Sequence, residues 1–341
     1  MAQLTLDNIS KHYGDHAVVD EISLAIEKGQ FVALLGPSGC GKTTTLRMIA
    51  GFEQLDTGRI LLNDILLASP EHHTEPERRN MSMVFQSYAL WPHKTVLDNA
   101  GYTLSLKGVR GQAYRDQVFA ALETVNLGHL ADRYPQALSG GQRQRAALAR
   151  CLVSHPEVVL LDEPLANLDV HLRASMEATF RQFHDRTGAT FIYVTHDQAE
   201  AMAMADRIAV MNHGRLEQWD TPENLYRRPA SRWVATFIGK GSVLDVPSHV
   251  HGKHLRADDI GNLLSNAGAM HRGAMLVRPE DVTVVAEGAR VTVRHRVYQG
   301  ERYQYIADLA DGQPLTFYHS RLLDHGQIVQ VQIAHAWGLD L

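Results

Sequence analysis

The segment Gly36-Pro37-Ser38-Gly39-Cys40-Gly41-Lys42-Thr43 constrains the fold of this chain more than any other. It follows the apolar run Phe31-Val32-Ala33-Leu34-Leu35 and precedes a helix-like pattern over residues 44–50 that Gly51 stops. Strand, glycine-rich loop and helix form the context of a P-loop, whose backbone N–H groups wrap phosphate oxygens. Lys42 then reaches the outer phosphates, and the Thr43 hydroxyl is placed to ligate magnesium. A glycine turn that matches by chance is the plain alternative, and the flanking strand and helix signals argue against it. The motif speaks for nucleotide binding and is silent on what the nucleotide drives.

A second anion-holding tip lies about a hundred residues on, at Leu138-Ser139-Gly140-Gly141-Gln142-Arg143-Gln144-Arg145. Ser139 followed three residues later by Gln142 is a capping-box pattern, and Ala146, Ala147, Leu148 and Leu152 supply an apolar side. The glycines admit a ligand close to the backbone, and a helix start offers unpaired N–H groups and the positive end of its dipole. Further on, the fully apolar run Val158-Val159-Leu160-Leu161 reads as a central parallel strand and ends in Asp162-Glu163-Pro164. Ligands of open α/β sheets bind at the carboxyl ends of strands, where these acids fall. Alternation sends the two carboxylates to opposite sides, so Asp162 is expected to orient magnesium and Glu163 to take a proton from an attacking water. Capping of the next helix is the plainer reading of either acid alone.

With these segments in place, the chain resembles the ATP-binding subunit of an ABC transporter over roughly residues 2–238. The resemblance implies ATP and Mg2+ as cofactors and a head-to-tail dimer with a second copy of the chain around two ATP molecules. It implies that residues Gly36, Pro37, Ser38, Gly39, Cys40, Gly41, Lys42, Thr43 and Thr44 bind nucleotide. Ser139, Gly140, Gly141 and Gln142 would meet the γ-phosphate held by the partner. Other positions carry over singly. Tyr13 matches the aromatic residue that stacks on adenine, and Gln86 the glutamine at the metal and attacking water. His196, after Phe191-Ile192-Tyr193-Val194, matches the switch histidine on the γ-phosphate. Asp169 matches an aspartate near the shared site, while Ala166 stands where the family commonly has serine. One lost side-chain hydrogen bond is worth only about 0.5–1.5 kcal/mol, so Ala166 touches communication between sites and not activity.

The 341 residues suit two domains. The formal charge of −5 gives no basic footprint for nucleic acid. Two cysteines, Cys40 and Cys151, exclude a disulfide framework and suit a reducing compartment. Cys40 sits near a helix start, a place that lowers a thiol pKa, although filler between two glycines is the duller reading. No apolar run approaches the ~20 residues of a transmembrane helix, and no signal peptide opens the chain. Taken with the resemblance, this implies two separate integral-membrane permease subunits, an indirect solute-binding partner, and a peripheral place on the cytoplasmic face of the inner membrane.

The expected fold is an α/β P-loop NTPase core over residues 1–238, with a helical subdomain inserted at about 87–155, followed by a small all-β domain over 239–341. Helices are expected at residues 114–125 and 142–154, the latter ended by Pro156. The aromatic stretch Ser87-Tyr88-Ala89-Leu90-Trp91-Pro92-His93 reads either as a satellite core or as a docking groove with Trp91 as anchor, and the resemblance favours docking. Beyond Gly239, Val291, Val293 and Val297 alternate with polar residues, as do Val329, Val331 and Ile333, and Asp311-Gly312 reads as a hairpin turn. Val277-Arg278-Pro279-Glu280-Asp281-Val282 resembles the OB-like, TOBE-type regulatory domain of importer ATPases of the maltose, polyamine and ferric-iron kind. His249, His251 and His254, and the pair His72-His73, read as solvated loops, with a metal or regulatory site as the alternative for both groups.

The leading expectation is therefore an energy-coupling ATPase of an import system for ferric iron, polyamine, phosphonate or sugar. A soluble ABC ATPase acting on DNA repair or translation would call for a coiled-coil insertion, tandem ATPase domains or basic surfaces. A regulatory interaction protein working through the β domain is compatible with the first reading as a side role.

Overall fold

The computed structural model describes residues 2–85, 87–166, 170–265 and 272–340. Two compact units divide the chain, Met1–Pro222 and Glu223–Leu341. The first begins with β1 (Ala2–Tyr13), β2 (His16–Glu27), β3 (Phe31–Leu35) and α1 (Lys42–Ala50). Then come β4 (Thr57–Leu62), β5 (Ile65–Ser69), β6 (His72–His73) and β7 (Met81–Val84). The helical insertion supplies α2 (Val96–Ala100), α3 (Tyr102–Leu106), α4 (Gly111–Thr124) and α5 (Gly140–Val153). The unit closes with β8 (Val158–Asp162), α6 (Val170–Thr187), β9 (Thr190–Thr195), α7 (Gln198–Met204), β10 (Arg207–Asn212) and β11 (Arg215–Asp220).

One sheet has the order β2-β1-β4-β5-β6 and is antiparallel throughout. The other runs β11-β10-β3-β9-β8-β7, parallel from β10 to β7 with β11 antiparallel at its edge. Every residue of β3, β8 and β9 is buried, which is why their sequences are continuous apolar runs and not alternating ones. Leu34, Leu46, Leu160, Ile192 and Val194 meet in one core cluster, each burial worth about 1.5–3 kcal/mol. Three neighbouring strands, β3, β9 and β8, thus point their carboxyl ends the same way.

Gly51 ends α1 in the left-handed conformation, with the N–H of Phe52 returning to Arg47 O. The remaining carbonyls of that helix end are met by a residue the sequence did not mark. The guanidinium of Arg79, 1% exposed, donates to Met48 O and Ile49 O as well as Thr74 O. Burial lowers its pKa to about 10, which leaves it charged at neutral pH and suited to a helix C-terminus. His73 is no solvated loop residue: β6 pairs with β5, and His73 Nε2 lies 3.1 Å from Gly51 O.

The second unit holds α8 (Pro222–Arg227, its first residue in the preceding unit), α9 (Arg232–Phe237), β12 (Ser242–Val246), β13 (His254–Arg256) and α10 (Ala257–Ser265). It continues with β14 (Gly273–Val277), β15 (Val282–Val285), β16 (Ala289–Tyr298), β17 (Tyr303–Leu309), β18 (Pro314–His319), β19 (Ile328–Ile333) and β20 (His335–Leu339). Its sheets have the orders β12-β14-β20-β13 and β15-β19-β16-β17-β18. The expected boundary at residue 238 puts α8 and α9 with the first domain, yet they cluster with the second. Arg278 explains this, since its guanidinium donates to the carbonyls of Tyr226, Ile238 and Lys240. The unit is built on β-strands as expected, and one helix beyond residue 239, α10, packs on its core through Ile260. Gly312, at φ +84°, makes the turn between β17 and β18 as expected. Val291 and Val293 are buried, but a bulge between Val293 and His295 shifts the register and Val297 is exposed.

Candidate functional site

The loop after β3 needs its glycines at two places. A Cβ at Gly36 would stand 2.2 Å from Met211 O, and one at Gly41, where φ is +98°, 2.3 Å from Val18 O. Neighbouring backbone packs against the loop from outside, so no side chain fits there. Lys42 opens α1 and is 4% exposed, with its Nζ donating to Gly36 O and Pro37 O, both at 2.8 Å. Those bonds hold the ammonium at the loop that the sequence assigns to phosphates. Cys40 Sγ lies 3.9 Å from Lys42 Nζ, yet burial outweighs the lysine and pushes the thiol pKa up. The helix start therefore does not activate this cysteine, contrary to its sequence position.

Across the sheet, Thr43 Oγ1 donates to Asp162 Oδ1 at 3.1 Å, joining two residues 119 positions apart. Burial raises the Asp162 pKa, with Glu163 adding to the rise and Thr43, Arg47 and Lys42 opposing it. A hydroxyl beside a buried carboxylate is a hard oxygen donor pair of the kind magnesium takes, and a cation there would relieve the desolvated charge. Glu163 has φ +44°, a left-handed conformation that a residue with Cβ rarely adopts, and its N–H bonds Val194 O of β9 at 3.1 Å. The carboxylate is thereby turned toward the end of β9, where His196 Nδ1 sits 3.4 Å from Glu163 Oε1. Lys42, Thr43, Asp162, Glu163 and His196 thus gather at the ends of three adjacent strands.

Ser139 caps α5 as its spacing predicts. Its Oγ accepts from Gln142 N–H while its own N–H donates to Gln142 Oε1, closing the capping box. Gln144, fully buried in the same helix, donates from Nε2 to Pro164 O at 3.0 Å. That bond ties the Ser139–Gln142 helix start to the loop behind Asp162 and Glu163, a link that the sequence did not single out. Tyr13, at the end of β1, is half exposed with Lys11 Nζ 5.6 Å from its ring centroid. The aromatic stretch is organised by Asn99 and Arg150. The Asn99 side chain, fully buried, accepts from Trp91 N–H at Oδ1 and donates from Nδ2 to Trp91 O, and Arg150 donates to Tyr88 O and Ala89 O while lying over the Trp91 ring. Gln86 and Asp169 lie outside the described residues. Among the described residues, no group of three His, Cys, Asp or Glu side chains is placed to hold a metal, so the histidines near residue 250 form no such cluster.

The ABC transporter family matches residues 19–166 and the TOBE domain family residues 275–338. The spermidine/putrescine import ATP-binding protein of Pseudomonas aeruginosa is 45% identical over 327 residues, covering 92% of this chain and 89% of that protein. The chain belongs to the ABC transporter ATP-binding family. The Fe(3+) ions import ATP-binding protein of Photorhabdus laumondii is 41% identical over 311 residues, covering 89% of this chain and 86% of its own length. Among solved structures, an ABC transporter component of a cbiONQ complex from Clostridium perfringens aligns with TM-score 0.60 at 26% identity, over 66% of this chain and 90% of that one. A dimeric ATP-binding cassette in a post-hydrolysis state, bound to ADP and Pi, aligns with TM-score 0.57 at 28% identity, over 64% and 98%. As an ABC ATPase of the import kind, this subunit couples ATP hydrolysis to transport. No helix among its described residues is long and apolar enough to cross a membrane.

Proposed function

We propose that this ABC ATPase works as a head-to-tail homodimer on the cytoplasmic face of the inner membrane, driving two permease subunits fed by a solute-binding protein. The observation that carries the catalytic part is the junction of Thr43 with Asp162 beside the Glu163–His196 pair. Magnesium, held by Thr43 Oγ1 and Asp162, would supply charge neutralisation for the phosphates. Lys42 binds the outer phosphates, Tyr13 carries the adenine, and Glu163 accepts the proton of the attacking water while His196 bonds the γ-phosphate. Gln86 and Asp169 keep the roles given by the sequence, at the attacking water and near the shared site. The dimeric post-hydrolysis structure supports the dimer itself, and in that dimer each P-loop is taken to face the partner subunit's Ser139–Gln142 helix start. Trp91, framed by Arg150 and Tyr102, is proposed as the anchor for a permease segment.

The reading favoured for the cargo is a polyamine, on the 45% identity to the spermidine/putrescine protein, with ferric iron second on the 41% identity to the iron protein. Uptake of labelled spermidine and of labelled ferric iron by cells lacking the gene separates the two. For the chemistry, Glu163→Gln is expected to keep ATP binding and to lose hydrolysis by about 10²–10⁴-fold, the worth of a general base. Near-normal turnover of that variant would overturn the role of Glu163.

A further inference from the structure

The His196 side chain is 54% exposed, with its Nδ1 3.4 Å from Glu163 Oε1. Its place must therefore come from its backbone, the turn between β9 and α7. That turn is fastened from both sides of the histidine. Thr195 Oγ1 accepts from the N–H of Asp197 at 3.0 Å and donates to Glu200 Oε2 at 2.7 Å. Asp197 caps α7, its Oδ1 accepting from Ala199 and Glu200 N–H groups. Glu200 itself is 3% exposed, yet both its oxygens are engaged: Tyr193 OH joins Thr195 on Oε2, and Arg173 Nε stands 3.5 Å from Oε1. Arg173, from α6, donates through Nη1 to Asp197 Oδ2 at 2.9 Å and so bridges the two carboxylates.

We propose that Thr195, Glu200 and Arg173 are positioning residues for His196, forming a lock centred on buried Thr195 and Glu200 that fixes the turn presenting its imidazole to Glu163. A buried carboxylate is retained at a desolvation cost of several kcal/mol unless partners meet it, and here three side chains from α6 and β9 do so. Burial and then the Glu200 charge push the Tyr193 phenol far up, so it stays a hydrogen-bond donor. Glu177, one turn along α6, is raised by burial and by Glu200 and Asp197, with Arg173 opposing. Arg173 is thus a cation that holds the Asp197 and Glu200 carboxylates together against this turn. Its position four residues after Asp169 ties the lock to the start of α6.

The inference rests on the catalytic role proposed for His196, and a double-mutant cycle on the full-length protein keeps the two apart. Thr195→Val removes both bonds of the hydroxyl, and a displacement near 1 Å costs about a hundred-fold. The expected result is a kcat lower by about ten- to a hundred-fold with KM for ATP nearly unchanged, restored by Thr195→Ser. In a His196→Ala background, followed over single turnovers, Thr195→Val should add no further loss, because the lock acts through the missing ring. Glu200→Gln, which keeps both hydroxyl donors but drops the charge facing Arg173, gives the same pattern in smaller measure and serves if Thr195→Val does not fold. An equal fold-loss with and without His196, or wild-type kcat in both single variants, would overturn the lock. Full turnover by His196→Ala alone would instead remove the role on which the inference stands.

Discussion

Asp162 is buried at the end of β8 with its pKa raised chiefly by desolvation, so the folded chain resists the charge that the site requires. For an acid raised in this way, the unfolded state gives up its proton first as pH increases. Stability therefore falls between the unfolded and folded pKa values and stays low above both. Asp162→Asn removes that charge and can still accept from Thr43 Oγ1. The expected outcome, read from thermal unfolding without nucleotide, is a higher Tm than wild type at neutral pH. The gap should shrink as pH drops below the usual carboxylate range, where both states of the aspartate are protonated. ATP hydrolysis should be lost in the same variant, since stability and function oppose each other at this residue. An unchanged or lower Tm at neutral pH would show that Asp162 is not held at a cost. The identity of this residue and of Glu163 was legible from their place after an apolar run. The left-handed backbone of Glu163 was not, because it arises from a hydrogen bond to a strand whose sequence lies some thirty residues away.

Elements whose signals are local are legible in the sequence. β3, α1 and the capping box of α5 are dictated by neighbours within four residues, and each stands where its sequence puts it. What escaped is what depends on distant partners. Arg79 and Gln144 bond carbonyls supplied by other segments, and nothing in their own neighbourhoods marks them. The bulge that exposes Val297 likewise depends on pairing with β17, and α10 interrupts a region whose alternation suggests strands alone. The stretch after β7 is the element-scale case with a functional edge. Trp91 packs on Tyr102 of α3 with ring centroids 4.3 Å apart, so it is partly core, yet it is not fully buried and Arg150 lies over its ring. Trp91→Ala is expected to leave the ATPase of the isolated subunit within about twofold, since α1 and the strand ends are untouched, and to abolish most transport by cells carrying the permease, as loss of an aromatic anchor does. Full transport in those cells would confine Trp91 to a packing role.

At the scale of the whole molecule the proposed site falls in two places of one chain. The P-loop, Asp162, Glu163 and His196 share the carboxyl edge of the parallel sheet, whereas the hydrogen bonds of Ser139 and Gln142 close on their own helix start. If the helix start serves the partner's nucleotide, damage to each half can be separated by subunit. Lys42→Ala disables a P-loop and leaves the helix start intact. Ser139→Arg sets a long cation at that helix start and leaves the P-loop intact. Each variant alone forms dimers in which both shared sites are defective, so neither should hydrolyse ATP. In a mixed dimer one interface gathers both lesions, while the other combines a sound P-loop with a sound helix start. Mixing the two inactive proteins, after dissociation and reassociation, should therefore restore hydrolysis measured as phosphate release. A site completed within one chain predicts the opposite, because every chain in the mixture then carries a lesion in its only site. Continued silence of a mixture shown to contain mixed dimers would refute the shared arrangement, and its recovery cannot arise from any arrangement in which each subunit acts alone.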